Sequence, residues 1–169
     1  MAPNDTFGPD PTVAKASYVG KVAALYVLLF VDATLNSVAD TQLASLELAI
    51  FITFLQILLR FLALMMLFLL ATTTLLFRAG MLDVLLRQFM NVTVASIIGM
   101  LIMLALRIFR ILLLFYRVEP ETYFAVDGYL ALYVTHNLCS VLLYWLSIAA
   151  TFRLSDPAFY DPSVWRRVG

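Results

Sequence analysis

Charge is scarce in this chain of 169 residues: Asp, Glu, Lys and Arg together make up 13%, against about 25% in a typical soluble domain. That shortage excludes a soluble globule, because too little polar material remains to cover one, and it makes lipid the expected solvent. The charges that are present balance, 11 basic against 11 acidic, so no overall field favours nucleic acid. Cysteine is reduced to Cys139, which rules out an intrachain disulfide. Lying inside an apolar run, Cys139 also lacks the exposed, electropositive setting of a reactive thiol. Histidine is reduced to His136, too little for a multi-histidine metal site. With no glycine-rich phosphate loop either, the expectation is a protein that is not an enzyme, with no cofactor, no metal and no small-molecule substrate. Proline stands only at positions 3, 9, 11, 120, 157 and 162. None falls in a long apolar run, so no helix shows the interruption from which many transporters build their sites.

Apolar residues are abundant, at 63%. A membrane-crossing helix needs about 20 of them in succession, and four stretches qualify, over about 18–39, 46–77, 91–115 and 129–152. The second is longer than one straight crossing and is read as one tilted helix that projects beyond the bilayer. The predicted architecture is all-α, with four transmembrane helices in an antiparallel bundle over residues 18–152. A Pro- and Gly-containing leader, residues 1–17, is expected to be disordered, and residues 153–169 form a short tail. The first run ends in "DATLNSVADTQ" without a small-residue cleavage pattern, so it is not read as a cleaved signal.

Loop charges orient the bundle. Lys15, Lys21, Arg78, Arg87, Arg153, Arg166 and Arg167 fall on one side, and Asp40, Glu47, Glu119, Glu121 and Asp127, against Arg117, on the other. Both termini and the middle loop are therefore predicted to be cytosolic. The N-glycosylation patterns at Asn4 and Asn91 then lie on the cytosolic side or in the membrane, where they go unused. In the middle loop, Leu82, Leu85, Leu86 and Phe89 share one helical face, and Asp83 and Arg87 form an i,i+4 pair. This predicts a short amphipathic helix, which either packs on its own bundle or grips the cytosolic leaflet or a partner.

Ionisable residues within the spans are costly and mark function or packing. They are Asp32, Arg60, Arg107, Arg110 and His136. Counting depth at about 1.5 Å per residue sets Asp32, Arg107 and His136 at one level. The expected ion pair is Asp32 with Arg107, with His136 and Asn137 as neighbours. Arg60 would snorkel, share Asp32, or meet an acidic group on another membrane protein. The fourth helix adds a polar stripe of Tyr133, Asn137, Ser140, Tyr144 and Ser147, a face that turns toward other helices rather than lipid. Two readings follow: interhelical glue, or a transport or proton pathway in a small transporter or channel subunit.

The tail, "RLSDPAFYDPSVWRR", resembles the C-terminal signature of the transmembrane protein 138 family through Arg153, Leu154, Asp156, Pro157, Phe159, Tyr160, Ser163 and Trp165. Three other segments agree in order and spacing. They are "LLFVDATLNS" (Leu28, Leu29, Asp32, Asn36, Ser37), "FRAGMLDVLLRQF" (Phe77, Ala79, Gly80, Leu85, Phe89), and the Asp127-Gly128 step before the last span. The resemblance extends over about residues 25–167. It implies a multi-pass, non-enzymatic membrane protein required for cilium assembly. Such a protein is expected at the ciliary base or transition zone and on vesicle or vacuolar membranes, and is associated with ciliopathy. Its implied partners are other transition-zone membrane and scaffold proteins, besides the lipid bilayer itself. The tail then serves either as a partner-binding element, through Arg153, Asp156, Pro157, Phe159, Tyr160, Trp165 and Arg166, or as an aromatic belt at the membrane interface.

Overall fold

The computed structural model describes residues 11–42, 45–74 and 82–156. Within them lie four long helices: α1 Pro11–Gln42, α2 Leu46–Ala71, α3 Leu82–Phe115 and α4 Tyr129–Leu154. A 3₁₀ turn, Pro120–Ala125, stands between α3 and α4, and there is no strand among the described residues. All four helices are long and apolar enough to cross a membrane, over Tyr18–Val38, Leu46–Ala71, Phe89–Phe115 and Tyr129–Leu154. Chain direction alternates. Tyr18 Oη donates to Thr151 O (2.9 Å) at one end of the α1–α4 pair, and Asn36 Nδ2 donates to Asn137 Oδ1 (3.2 Å) toward the other. The end that holds the start of α1 and the finish of α4 is called here the terminal end, and the opposite one the loop end.

Helix boundaries follow local chemistry. Proline is tolerated at the first position of a helix, and α1 reaches back to Pro11, into the stretch that composition assigns to the leader. The second apolar run does not continue as a helix to 77. Three consecutive threonines end α2, with Thr72, Thr73 and Thr74 Oγ1 donating to the carbonyls of Leu69, Leu70 and Ala71. These hydroxyls satisfy carbonyls that the next turn of helix would otherwise use. The amphipathic segment at 82–89 is not a separate element, because nothing between Asp83 and Asn91 breaks a helix. It forms the first two turns of α3, which at 34 residues and a rise of about 1.5 Å per residue is far longer than the hydrocarbon is thick. The connection 75–81 lies outside the described residues, as do the leader up to residue 10 and the tail from 157.

At the loop end, α3 stops in a Schellman turn. Val118 N donates to Leu113 O (3.0 Å) and Arg117 N to Leu114 O (3.0 Å), with Arg117 in the left-handed region at φ 55°. Val118 packs against the apolar cluster that contains Leu113, the kind of contact that accompanies this motif. Gly128 then opens α4 at φ 82°. A Cβ there would meet nothing within 4 Å, so the backbone angle, not space, asks for glycine. The sequence's "DG" step is this turn. Tyr129 receives edge-on contacts from Phe109, Tyr123 and Phe124, which close this end. Burial pushes the Tyr123 phenol above its usual pKa, and Arg110 works against that shift.

The interior is layered. One apolar cluster at the terminal end joins Leu25, Leu29, Ala63, Leu67, Leu70, Val92, Ala150 and Leu154. Another at the loop end joins Leu106, Leu113, Tyr123 and Tyr129. Large apolar side chains also cover the outside, among them Phe30 (73% exposed), Phe54 (66%), Leu138 (67%) and Val141 (66%). Such a surface is stable against lipid tails and not against water. Between the apolar clusters lies a polar layer.

Candidate functional site: a two-tier polar layer

Each of three helices supplies an i,i+4 polar pair to this layer: Asp32 and Asn36 from α1, Gln56 and Arg60 from α2, His136 and Ser140 from α4. Residues so spaced share a helix face one turn apart, so the pairs stack into two tiers separated by about 6 Å along the bundle. From α3 come the Gly99 carbonyl and Arg107.

The tier nearer the terminal end is centred on Arg60. Its Nε donates to Asp32 Oδ2 (3.2 Å), its Nη1 to Gly99 O (2.9 Å) and its Nη2 to Ser140 Oγ (3.0 Å). Tyr144 Oη donates to the same Asp32 Oδ2 (2.7 Å). One guanidinium thus ties its own helix to the other three. The second tier is centred on Asn36. Its Oδ1 accepts from Arg107 Nη2 (3.2 Å) and lies 2.9 Å from His136 Nε2, while its Nδ2 donates to Asn137 Oδ1. An amide oxygen can only accept, so His136 carries its proton on Nε2. Arg107 Nε donates to Gln56 Oε1 (2.9 Å), which brings α2 into this tier. Asp32, Arg107 and His136 are at most 2% exposed and Arg60 is 7% exposed.

The structure therefore gathers Asp32, Arg60, Arg107, His136 and Asn137 into one layer but pairs them differently from the sequence expectation. The ion pair is Asp32 with Arg60, whereas Arg107 bonds to Gln56 and Asn36. Backbone depth alone does not decide the partner of Asp32. With α1 running to Gln42, Asp32 lies three residues deeper than an end at 39 implied, about 4.5 Å on the helical rise; backbone depth alone still sets it nearer Arg107, and the long Arg60 side chain reaches across the difference to bond to it. Gln56 and Gly99 were not singled out from sequence. An i−4 search from Arg60 along an otherwise apolar helix finds Gln56; nothing in the sequence flags the Gly99 carbonyl. Arg110, also buried, lies toward the loop end with its guanidinium 6.0 Å from the centre of the Tyr123 ring.

Placing an ion pair in a membrane is expensive unless its remaining hydrogen-bonding capacity is met. Here Arg60 uses all three of its nitrogens. Interhelical hydrogen bonds in membranes contribute about 0.6 kcal/mol each on average, so their main effect is to fix register and rotation. Asp32 Oδ1, Gln56 Nε2 and His136 Nδ1 are buried with no hydrogen-bond partner among the described residues. Beside Asp32 lies a cavity of about 40 Å³, lined also by Arg60, Ser96, Tyr144 and Ser147. That is room for water, not for a solute.

Gly99 is buried where α3 faces Arg60 and Leu143. A Cβ on it would stand 3.8 Å from both Arg60 Nη1 and Leu143 Cδ2, ordinary contact distance. Gly99→Ala is therefore expected to leave stability unchanged or raise it by up to about 1 kcal/mol. Gly99→Leu would press on the guanidinium and cost about 1–3 kcal/mol. Thermal unfolding in detergent checks both, and equal effects of the two substitutions would contradict this packing.

These features define a class: an integral membrane protein of four spanning helices, locked across its interior by side chains from every helix. More particularly, the chain belongs to the Transmembrane protein 138 family, whose family model matches residues 48–168. The match takes in α3, α4, the tail and nearly all of α2, with Gln56, Arg60, Arg107 and His136; Asp32 and Asn36 precede it. Neither the curated proteins nor the solved structures give a match.

Proposed function

We propose that the chain is a non-enzymatic membrane protein required for cilium assembly, acting by protein–protein assembly at the ciliary base or transition zone and on associated vesicles. The observation that carries this reading is the family match over residues 48–168, which includes the tail signature. The polar layer supports it, because its charged groups are engaged with other helices of the same bundle. A rigid frame of this kind is suited to present a tail to soluble scaffolds. The basic residues at both termini and in the middle loop favour a cytosolic position for all three. Imaging a tagged protein against a basal-body marker tests the reading: enrichment at the marker is expected, and an even distribution over cell membranes would contradict it.

A second reading, a small transporter or channel subunit, draws on the buried carboxylate beside the cavity. Ion or proton flux in proteoliposomes that disappears with Asp32→Asn would favour it.

A further inference from the structure

At the terminal end, a groove of about 70 Å³ runs between the start of the α3 span and the last turns of α4. Phe89, Asn91, Trp145, Ala149 and Arg153 line it, with Ala150 at its buried floor. Its mouth faces lipid, since Trp145 is 63% exposed and neighbouring Met90 and Phe152 are 57% and 69% exposed. Trp145 and Arg153 are eight residues apart on α4, about 12 Å along the helix. The groove thus begins beside a guanidinium at the edge of the span and sinks into the hydrocarbon.

The polar groups here differ from those of the interior. The Arg153 guanidinium, the Asn91 side-chain amide and the Trp145 indole N–H have no hydrogen-bond partner among the described residues, whereas each polar side chain of the central layer makes at least one such bond. Arg153 and Asn91 can both donate at the edge of the span, and the slot below them, which runs toward Trp145, is lined by Phe89, Val92, Leu146, Ala149 and Ala150. The complementary ligand has acceptors at one end and an alkyl chain at the other. A glycerophospholipid fits, through its phosphate, its ester carbonyls and its acyl chain. The described charged side chains at this end are Lys21, Arg87, Arg153 and Asp156, a positive surplus, which selects an anionic headgroup.

We propose that this groove is a binding site for an anionic glycerophospholipid, with the phosphate on Arg153, an ester carbonyl within reach of Asn91, and one acyl chain in the slot between Trp145 and Phe89. The site lies on the lipid-facing surface, apart from the polar layer, and does not depend on the ciliary reading.

Native mass spectrometry of the full chain in detergent, titrated with phosphatidylglycerol or phosphatidylcholine, tests the proposal. The wild type should retain phosphatidylglycerol in preference to phosphatidylcholine. Arg153→Gln should reduce phosphatidylglycerol binding about tenfold, the loss expected for one charge-assisted hydrogen bond. Ala149→Phe should fill the slot and lower binding of both lipids with the charge intact. Helical content and thermal unfolding check that each variant is folded; if Ala149→Phe is not, Asn91→Leu at an exposed position replaces it and should weaken phosphatidylglycerol binding. A wild type without preference, or a folded variant of either kind that binds as the wild type does, overturns the proposal.

Discussion

Asp32→Val should lower the stability of the folded bundle by about 3–5 kcal/mol, the usual cost of leaving one member of a buried ion pair alone. The substitution strands the Arg60 guanidinium at 7% exposure and removes the acceptor of the Tyr144 hydroxyl. Arg60→Met should cost a similar amount, because it strands the carboxylate and frees Gly99 O and Ser140 Oγ as well. Combined, the two should cost clearly less than their sum, since the double variant buries no lone charge. Asp32→Val combined with Arg107→Met should show weaker coupling, because Arg107 bonds to Gln56 and Asn36. Thermal unfolding in one detergent measures both cycles. Stronger coupling to Arg107 than to Arg60 would restore the pairing expected from depth alone and contradict the layer described here.

The second large effect is expected in the tail, which lies outside the described residues from 157 onward. Changing Phe159, Tyr160 and Trp165 together to alanine should leave membrane insertion and protein level intact and abolish enrichment at the ciliary base. The Asp156-Pro157 and Asp161-Pro162 steps bias the backbone toward extended and turn geometry. A short, pre-arranged segment loses little entropy on docking. Aromatic anchors at a protein interface typically cost about 2 kcal/mol or more when truncated, so three at once should end binding. An interface belt predicts something else: a loosened fold and less protein throughout the cell. Normal level with normal enrichment would show that the tail serves neither role.

Much of this was legible in the sequence because the membrane simplifies the physics. Lipid demands about 20 apolar residues per crossing, and the four spans stand out on that ground alone. The polar stripe of α4 was also visible, because a hydroxyl or amide every three or four residues has to face other helices. Side-chain capping hid the end of α2: Thr72, Thr73 and Thr74 look apolar enough to continue a span, yet their hydroxyls bond to the carbonyls behind them. Partner choice at Asp32 was left open by the sequence, which offered Arg107 first and Arg60 as an alternative. Counting rise along a helix ranks backbone positions only, and a long arginine side chain reaches beyond its own level. The contact between Arg60 and Gly99 O had no signature, because a backbone carbonyl is present at every position.

We propose that the buried charges hold the register of the bundle and do not conduct. The most direct test replaces the first tier with apolar groups of similar shape, as Asp32→Val, Arg60→Met and Tyr144→Phe in one chain. Exchanging a buried ion pair for packed apolar side chains is often neutral or stabilising. Cilium formation should be scored in cells that lack the native protein and express this variant at normal level. The account predicts that cilia form as they do with the wild type. A variant that is folded and abundant but leaves the cells without cilia would show that the charges themselves do the work, and would contradict it.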